Sequence, residues 1–319
     1  MGWGRDVEGK ACGTPGYAVI YWCEPTYIDG IMSDVETGDP SLVNEPLNEF
    51  GSTWTEEKST IVYEYAKAYL TAMKNQRFEM LYFDGFAGSG DVQLKDDKLI
   101  ESVALRVMGI SEPRRFDRYV MVERGRKKAA NLRARLNERF PELQDRTWVI
   151  EDDCNAQLRN LAEYLKADRF RRVLAFLDPC GMQVDHVAVQ ALKGLHADVW
   201  ILFPSGIGAN RNLFRDVSKM RPENFKSVER ILGITEEEIR EQYYEPTLFE
   251  DITDKREGGI ERTLELYRAK LQELFKHVSR TKEIRNSGGG IMYHLLMASQ
   301  EPLAIRIADH IIKKHSGRK

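Results

Sequence analysis

Four carboxylates in this sequence stand at or just past the end of a short apolar run. Asp84 follows Leu81-Tyr82-Phe83, and Glu123 follows Tyr119-Val120-Met121-Val122. Asp153 comes shortly after Thr147-Trp148-Val149-Ile150, and Asp178 closes Val173-Leu174-Ala175-Phe176-Leu177. Runs of this length and type read as buried strands. The acids therefore gather at strand ends, where a parallel sheet presents its ligands. Asp84 opens a turn, Asp84-Gly85-Phe86-Ala87-Gly88-Ser89-Gly90. Its three glycines permit positive φ and let a ligand approach the backbone closely. A carboxylate at the head of such a turn gains little from a pyrophosphate and much from an ammonium group. Glu123 can accept two hydrogen bonds from a vicinal diol, the ribose role of the second strand in a doubly wound sheet. It stands about thirty residues past the turn, against the ~20 of the dinucleotide pattern. Asp178 can accept a hydrogen bond from an exocyclic amine and so orient the lone pair of its nitrogen. Pro179 fixes φ and removes a donor, leaving its carbonyl to face a ligand.

Alternating strands and helices must position these groups. The expected fold is α/β, a doubly wound, mostly parallel sheet. A helix is expected from Thr55 as N-cap, with Glu56 and Glu57 at its positive end. Ile61, Tyr65, Ala68, Tyr69, Ala72 and Met73 lie on one helical face, and Lys58 reads as a solvated side chain, with the ligand pocket as the alternative. The glycine turn should open onto a helix over 100–108. A further helix over 124–140 turns Ala129, Leu132, Leu136 and Phe140 inward. A fifth strand, Val199-Trp200-Ile201-Leu202-Phe203, leads into Pro204-Ser205-Gly206, after which Asn210 and Arg211 contact substrate or cap the next helix. His186 reads as a surface helix residue.

Four segments are expected: an N-terminal extension (1–53), a core (54–215), a helical insertion (216–285) and a C-terminal segment (286–319). In the first, 17–23 is a strand or a packed segment. In the third, Thr235 and Glu238 form a capping box, and 260–278 is a helix with Ile260, Leu264, Tyr267, Leu271 and Phe275 on one face. In the last, 291–298 is a strand returning to the sheet before a helix over 303–314. The alternative there is a helix-turn-helix of winged-helix type.

Apolar residues are 42% of the 319, enough for a large core, and net charge is only −3. Any nucleic-acid contact must then rest on a local patch. From Arg114 to Arg139 there are ten Lys or Arg and three Asp or Glu, a solvated face or a phosphate-contacting one. Cys12, Cys23, Cys154 and Cys180 are scattered, which argues against a zinc ribbon and a disulfide framework and for a reduced cytoplasm. No metal site is expected. No apolar run approaches the ~18 residues of a membrane span, and no signal pattern opens the chain.

The turn from Asp84 to Gly90 resembles the first motif of class I methyltransferases, in the Asp-x-Phe-x-Gly-x-Gly form seen among enzymes that methylate nucleic acids. That resemblance implies S-adenosylmethionine as cofactor, held by Asp84, Gly85, Phe86, Gly88 and Gly90, with Glu123 at the ribose. Asp153-Cys154-Asn155 resembles the Asp-small-Asn pattern that meets adenine, which selects Asp153 over Asp152. Asp178-Pro179-Cys180-Gly181 resembles the Asp-Pro-Pro-aromatic motif of base N-methyltransferases, with Asp178 and Pro179 in the catalytic place. Cys180 and Gly181 stand where an aromatic would stack, and Asp-Pro-x-Gly is closer to some transfer-RNA guanine methyltransferases. An ordered set of segments extends the likeness: Trp54-Thr55-Glu56-Glu57-Lys58, the glycine turn, Phe176 to Gly181, Phe203-Pro204-Ser205-Gly206 with Asn210-Arg211, and Tyr293 to Ser299. From about residue 50 onward the chain is similar to the three-Cys-motif partner proteins. This implies a bacterial, methyltransferase-like protein, often encoded beside a separate protein that carries three cysteines. Cys180 replaces the aromatic of that family's Asp-Pro-Phe-Gly. The expected activity is N-methylation of a nucleic acid base. The alternatives are a small-molecule or protein substrate, or a non-catalytic partner of a three-Cys-motif protein.

Overall fold

The computed structural model describes residues 53–93, 99–246 and 253–316. The 17–23 segment lies outside them. Among the described residues the first element is α1 (Thr53–Met73), and Thr55 lies inside this helix rather than capping it. The Ser59 hydroxyl donates to the Thr55 carbonyl at 2.7 Å. Ile61, Val62, Tyr65, Ala66, Tyr69 and Leu70 are buried, whereas Ala72 is exposed. The order continues β1 (Glu79–Asp84), β2 (Asp91–Gln93), β3 (Leu99–Glu101), α2 (Val103–Met108), β4 (Arg118–Val122), α3 (Arg126–Arg139), β5 (Thr147–Ile150), α4 (Cys154–Lys166), β6 (Arg171–Leu177), α5 (His186–Gln190) and β7 (Ala197–Phe203). Then come α6 (Asn210–Asn212), α7 (Pro222–Leu232), α8 (Glu236–Tyr243), β8 (Tyr244–Pro246), β9 (Thr253–Lys255), α9 (Gly259–Gln272), β10 (His277–Val278), β11 (Lys282–Arg285), β12 (Ile291–Ser299) and α10 (Pro302–Ser316).

Eight strands form one sheet in the order β10-β12-β7-β6-β1-β4-β5, with β11 also paired to β12. The five from β5 to β7 run parallel. β12 runs antiparallel to β7 on one side and to β10 and β11 on the other. The sheet turns outward in both directions from β1, so the order reverses between β1 and β6, where open α/β sheets bind ligands. Five parallel strands extended on one side by the antiparallel β12, and beyond it by β10 and β11, make a mostly parallel, open α/β sheet.

The strands are apolar on both faces because both are covered. Met80, Tyr82, Tyr119, Met121, Leu174, Phe176, Trp200 and Leu202 share one core with α1, α2 and α10. Leu81, Phe83, Val120, Val122, Val173, Ala175, Leu177, Val199 and Ile201 alternate with them and are buried as well.

The structure corrects several expectations. The glycine turn leads into the β2–β3 hairpin, not directly into a helix. α2 starts at Val103, where the Ser102 side chain accepts from the Leu105 N–H. The segment expected as a helical insertion ends in β10 and β11, strands of the main sheet. No winged helix forms at 291–314, because β12 is nine residues of buried sheet strand followed by α10. The expected capping box at α8 is present. Among the described residues, no helix is long and apolar enough to cross a membrane.

Candidate functional site

Because β1, β4, β5, β6 and β7 are parallel, the segments that follow them emerge at one edge of the sheet. The glycine turn is tied to both neighbouring strands. The Gly85 N–H donates to the Phe176 carbonyl and the Ala87 N–H to the Val122 carbonyl, each at 2.9 Å. Gly85 is required by packing, since a Cβ there would lie 2.6 Å from Cys154 Sγ and 2.8 Å from Leu177 Cδ2. Gly88 is different. Its φ is +66°, and a Cβ would meet nothing within 4 Å. The turn thus presents backbone beside open space, the form of a cradle for a ligand.

Glu123, just past β4, reaches back over this turn. Its Oε2 accepts from the Gly88 N–H at 3.1 Å and its Oε1 from the Gly125 N–H at 2.7 Å. A carboxylate bound by two backbone donors is fixed in place while keeping lone pairs for further donors.

Asp84 is 3% exposed. It accepts from the Phe86 N–H at 3.1 Å and from the Tyr82 hydroxyl at 3.3 Å. Burial pushes its carboxyl up to about 7, helped by the negative charge of Asp178 and opposed by these two donors and by Lys58. Asp178 ends the neighbouring strand. Lys58 of α1 sets its Nζ 2.7 Å from Asp178 Oδ1 and 2.5 Å from Oδ2. Lys58 is therefore buried and paired, not solvated; it is 7% exposed. The adjacent pair Asp84 and Asp178 shares one described cation, Lys58. A second positive charge, brought by a ligand, would complete the balance.

Asp153 caps α4, its Oδ1 accepting from the Asn155 and Ala156 N–H groups. Asp152 is occupied by the Asp153 N–H and by Gln157 Nε2. Asn155 bridges from here to the loop after β6: its Nδ2 donates to the Gln183 carbonyl at 2.8 Å, and its Oδ1 accepts from the Asp185 N–H at 2.8 Å. In that loop Pro179 is buried and Cys180 exposed. The Tyr293 hydroxyl of β12 donates to the Cys180 carbonyl at 2.9 Å. Arg230 of α7 holds the loop from outside, donating to the Met182 carbonyl at 2.6 Å and pairing with Asp185. The helices of the insertion thus brace the Asp-Pro loop. Tyr267 of α9 stacks on Phe203, with ring centroids 3.9 Å apart, at the site end of β7.

Two expectations change here. Asn210 is the first residue of α6 and does not cap it by its side chain, whose Oδ1 accepts from Lys255 Nζ, as does its carbonyl. His186 is 8% exposed, not a surface residue. It packs under Gly233, where a Cβ would lie 2.3 Å from the ring.

The structure links Asp84, Phe86, Asp178 and Lys58 in one electrostatic group, and Gly88 with Glu123 in another on the same turn. Lys58, which reads from sequence first as a solvated side chain, and Tyr293, which enters there only as part of a motif, are the members to which sequence reasoning assigns no site role. Lys58 had one signal, its place three residues before Ile61 and seven before Tyr65 on the buried face. Among the described residues, no group of three or more His, Cys, Asp or Glu is placed to hold a metal.

Neither a protein-family profile nor a curated protein matches the chain in sequence. Solved structures do overlap with it. A DUF519-family protein from Legionella pneumophila is 12% identical, with a TM-score of 0.49 over 83% of this chain and 93% of its own. Trm1 from Pyrococcus horikoshii, solved with S-adenosyl-L-methionine, is 9% identical, with a TM-score of 0.41 over 82% and 59%. An O-methyltransferase from Bacillus cereus, solved with SAH, is 12% identical, with a TM-score of 0.38 over 81% and 93%. Similarity of this degree says nothing of substrate or activity.

Proposed function

We propose that the protein is an S-adenosylmethionine-dependent methyltransferase that modifies a nitrogen of a nucleic acid base, and that it belongs among the three-Cys-motif partner proteins. One observation carries the reading. A nearly wholly buried carboxylate, Asp84, heads an open glycine cradle and shares a single lysine with a second carboxylate, Asp178. The residues suit this cofactor. Asp84 would take its ammonium group, Gly85, Phe86, Gly88 and Gly90 would leave room along its tail, and Glu123 would accept from its ribose hydroxyls. Asp153 would accept from its adenine amino group. The cofactor supplies an electrophilic methyl on a sulfonium.

The chain's own contribution is positioning. Asp178 accepts a hydrogen bond from the amine of the substrate and turns the lone pair of its nitrogen inward. Lys58 holds both oxygens of Asp178 in place beside Asp84. Pro179 removes a competing donor from the strand end. A base in a duplex would have to be flipped or single-stranded to reach this edge. The exposed Arg124, Arg126, Lys127 and Lys128, just past β4, are placed to hold its phosphates.

The test is to incubate the protein with labelled S-adenosylmethionine and total RNA or DNA. Label in base nitrogen, lost in Asp178→Ala, is the expected result. Cofactor binding without label in either pool would overturn the nucleic-acid substrate. A second reading has one observation in its favour: Lys58 engages both oxygens of Asp178. In that reading the fold is a non-catalytic platform for a three-Cys-motif protein, and Asp178→Ala leaves partner binding and cofactor binding unchanged.

A further inference from the structure

A cavity of about 390 Å³ lies at the opposite edge of the sheet, where β6 and β7 begin and β12 ends. Its walls include Tyr65 and Tyr69 of α1, Arg172 of β6, Asp198 of β7, Glu301 and Ile307. Arg172 and Asp178 are six residues apart on an extended strand, so the cavity is roughly 20 Å from the glycine-turn site.

Asp198 is the unexplained group. It is 7% exposed, and its partners are neutral. The Tyr65 hydroxyl donates to Oδ2 at 2.7 Å and the Ser299 hydroxyl to Oδ1 at 2.5 Å. Among the described residues no cation pairs with it. Arg172 lines the same space, but its Nη1 donates to the Arg169 and Arg171 carbonyls and its guanidinium stacks 3.9 Å from the Phe78 ring centre. Burial raises the Asp198 carboxyl to about 6, with Glu301 adding to the rise and the two hydroxyls opposing it. His196 is held below its ordinary range by burial and by Arg172, and so adds no charge there. Tyr69 is 4% exposed, lines the cavity, and makes no hydrogen bond through its hydroxyl among the described residues. A buried carboxylate held only by two neutral hydroxyls, with no cation, costs several kcal/mol if nothing answers it. Aromatic rings and the apolar side chains of Leu303, Ala304 and Ile307 complete the lining.

We propose that this cavity is a binding site for a small organic cation, a primary amine or amidine carrying an apolar or aromatic body. The cationic head meets Asp198 and the Tyr69 hydroxyl, and the body packs against the α10 wall.

The full chain is titrated with 2-phenylethylamine, 2-phenylethanol and phenylacetate, followed by ligand-observed NMR and calorimetry. The amine is expected to bind at least tenfold more tightly than the alcohol, and the acid not at all. Asp198→Asn removes the preference for amine over alcohol. Ala304→Phe fills the space from α10, leaves Asp198 in place and abolishes binding of both. Asp84→Asn, at the other edge, leaves amine affinity unchanged. Circular dichroism and a cooperative melt establish that each variant is folded; if one is not, the selectivity of the parent decides. Equal binding of amine and alcohol overturns the proposal. So does a preference that survives Asp198→Asn, loss of binding in Asp84→Asn, or no binding of any probe at about 10 mM.

Discussion

Lys58 carries the positive charge for two carboxylates that end neighbouring strands. Replacing it with Met leaves Asp84 and Asp178 facing each other with no described cation, which should cost about 2–4 kcal/mol in urea unfolding. Adding Asp178→Asn should restore more than about 1 kcal/mol of that loss, because the pair is coupled. No recovery in the double variant would show that the lysine acts through packing alone. Asp84 has a separate signature. Its folded carboxyl lies near 7 against an ordinary 3.8, so the folded chain binds that proton more tightly than the unfolded chain does. Its contribution makes stability fall as pH rises from about 4 to about 7 and then level off. A bound ammonium group favours the carboxylate and so expels the proton. S-adenosylmethionine affinity should therefore rise up to about tenfold per pH unit below about 7 and flatten above it. Asp84→Asn should bind weakly with no such slope, as read by calorimetry in buffers of differing ionisation heat.

At the scale of elements, the turn after β1 separates two uses of glycine. Gly85→Ala drives a Cβ into Cys154 Sγ and Leu177 Cδ2, an overpacking cost of about 1–3 kcal/mol. Gly88→Ala meets only the strain of positive φ, about 1–2 kcal/mol, yet its Cβ enters the cradle. Thermal melts should rank Gly85→Ala as the more damaged fold, while cofactor affinity drops at least tenfold in Gly88→Ala despite near-native stability. The same contrast explains which elements could be read in advance. β1, β4, β5, β6 and β7 are short runs rich in apolar, β-branched and aromatic residues, and such runs announce themselves. β10 is two residues, His277-Val278, defined by pairing to Ser299 and Ala298, and no local pattern marks it. The β2–β3 and β8–β9 hairpins are equally short. Lys58 was legible only as a cation on an apolar helical face. Its meaning depends on a partner 120 residues away, a relation created by the crossover topology and not by neighbours in the chain.

For the whole molecule, a net charge of −3 leaves no general attraction to nucleic acid, so the basic stretch must act locally. Its members divide in the structure. Arg114 pairs with Asp117, Arg115 with Glu142, Arg118 with Glu79, and Arg139 with Glu101. Arg126, Lys127 and Lys128 are exposed at the start of α3, which follows the strand that delivers Glu123. Reversing these three to Glu should weaken nucleic-acid binding at least tenfold near 0.1 M salt and lower the slope of log affinity against log salt by about 2–3. Filter binding across a salt series gives both quantities; an unchanged slope would assign these charges to solvent. Among the larger contacts, α1 meets both edges of the sheet: Lys58 answers Asp178 at one, and Tyr65 answers Asp198 at the other. These residues sit two helical turns apart, about 10 Å along a continuous hydrogen-bonded rod. Such a rod transmits displacement instead of absorbing it. One element therefore sets the spacing between the ammonium that meets Asp178 and the phenol that meets Asp198.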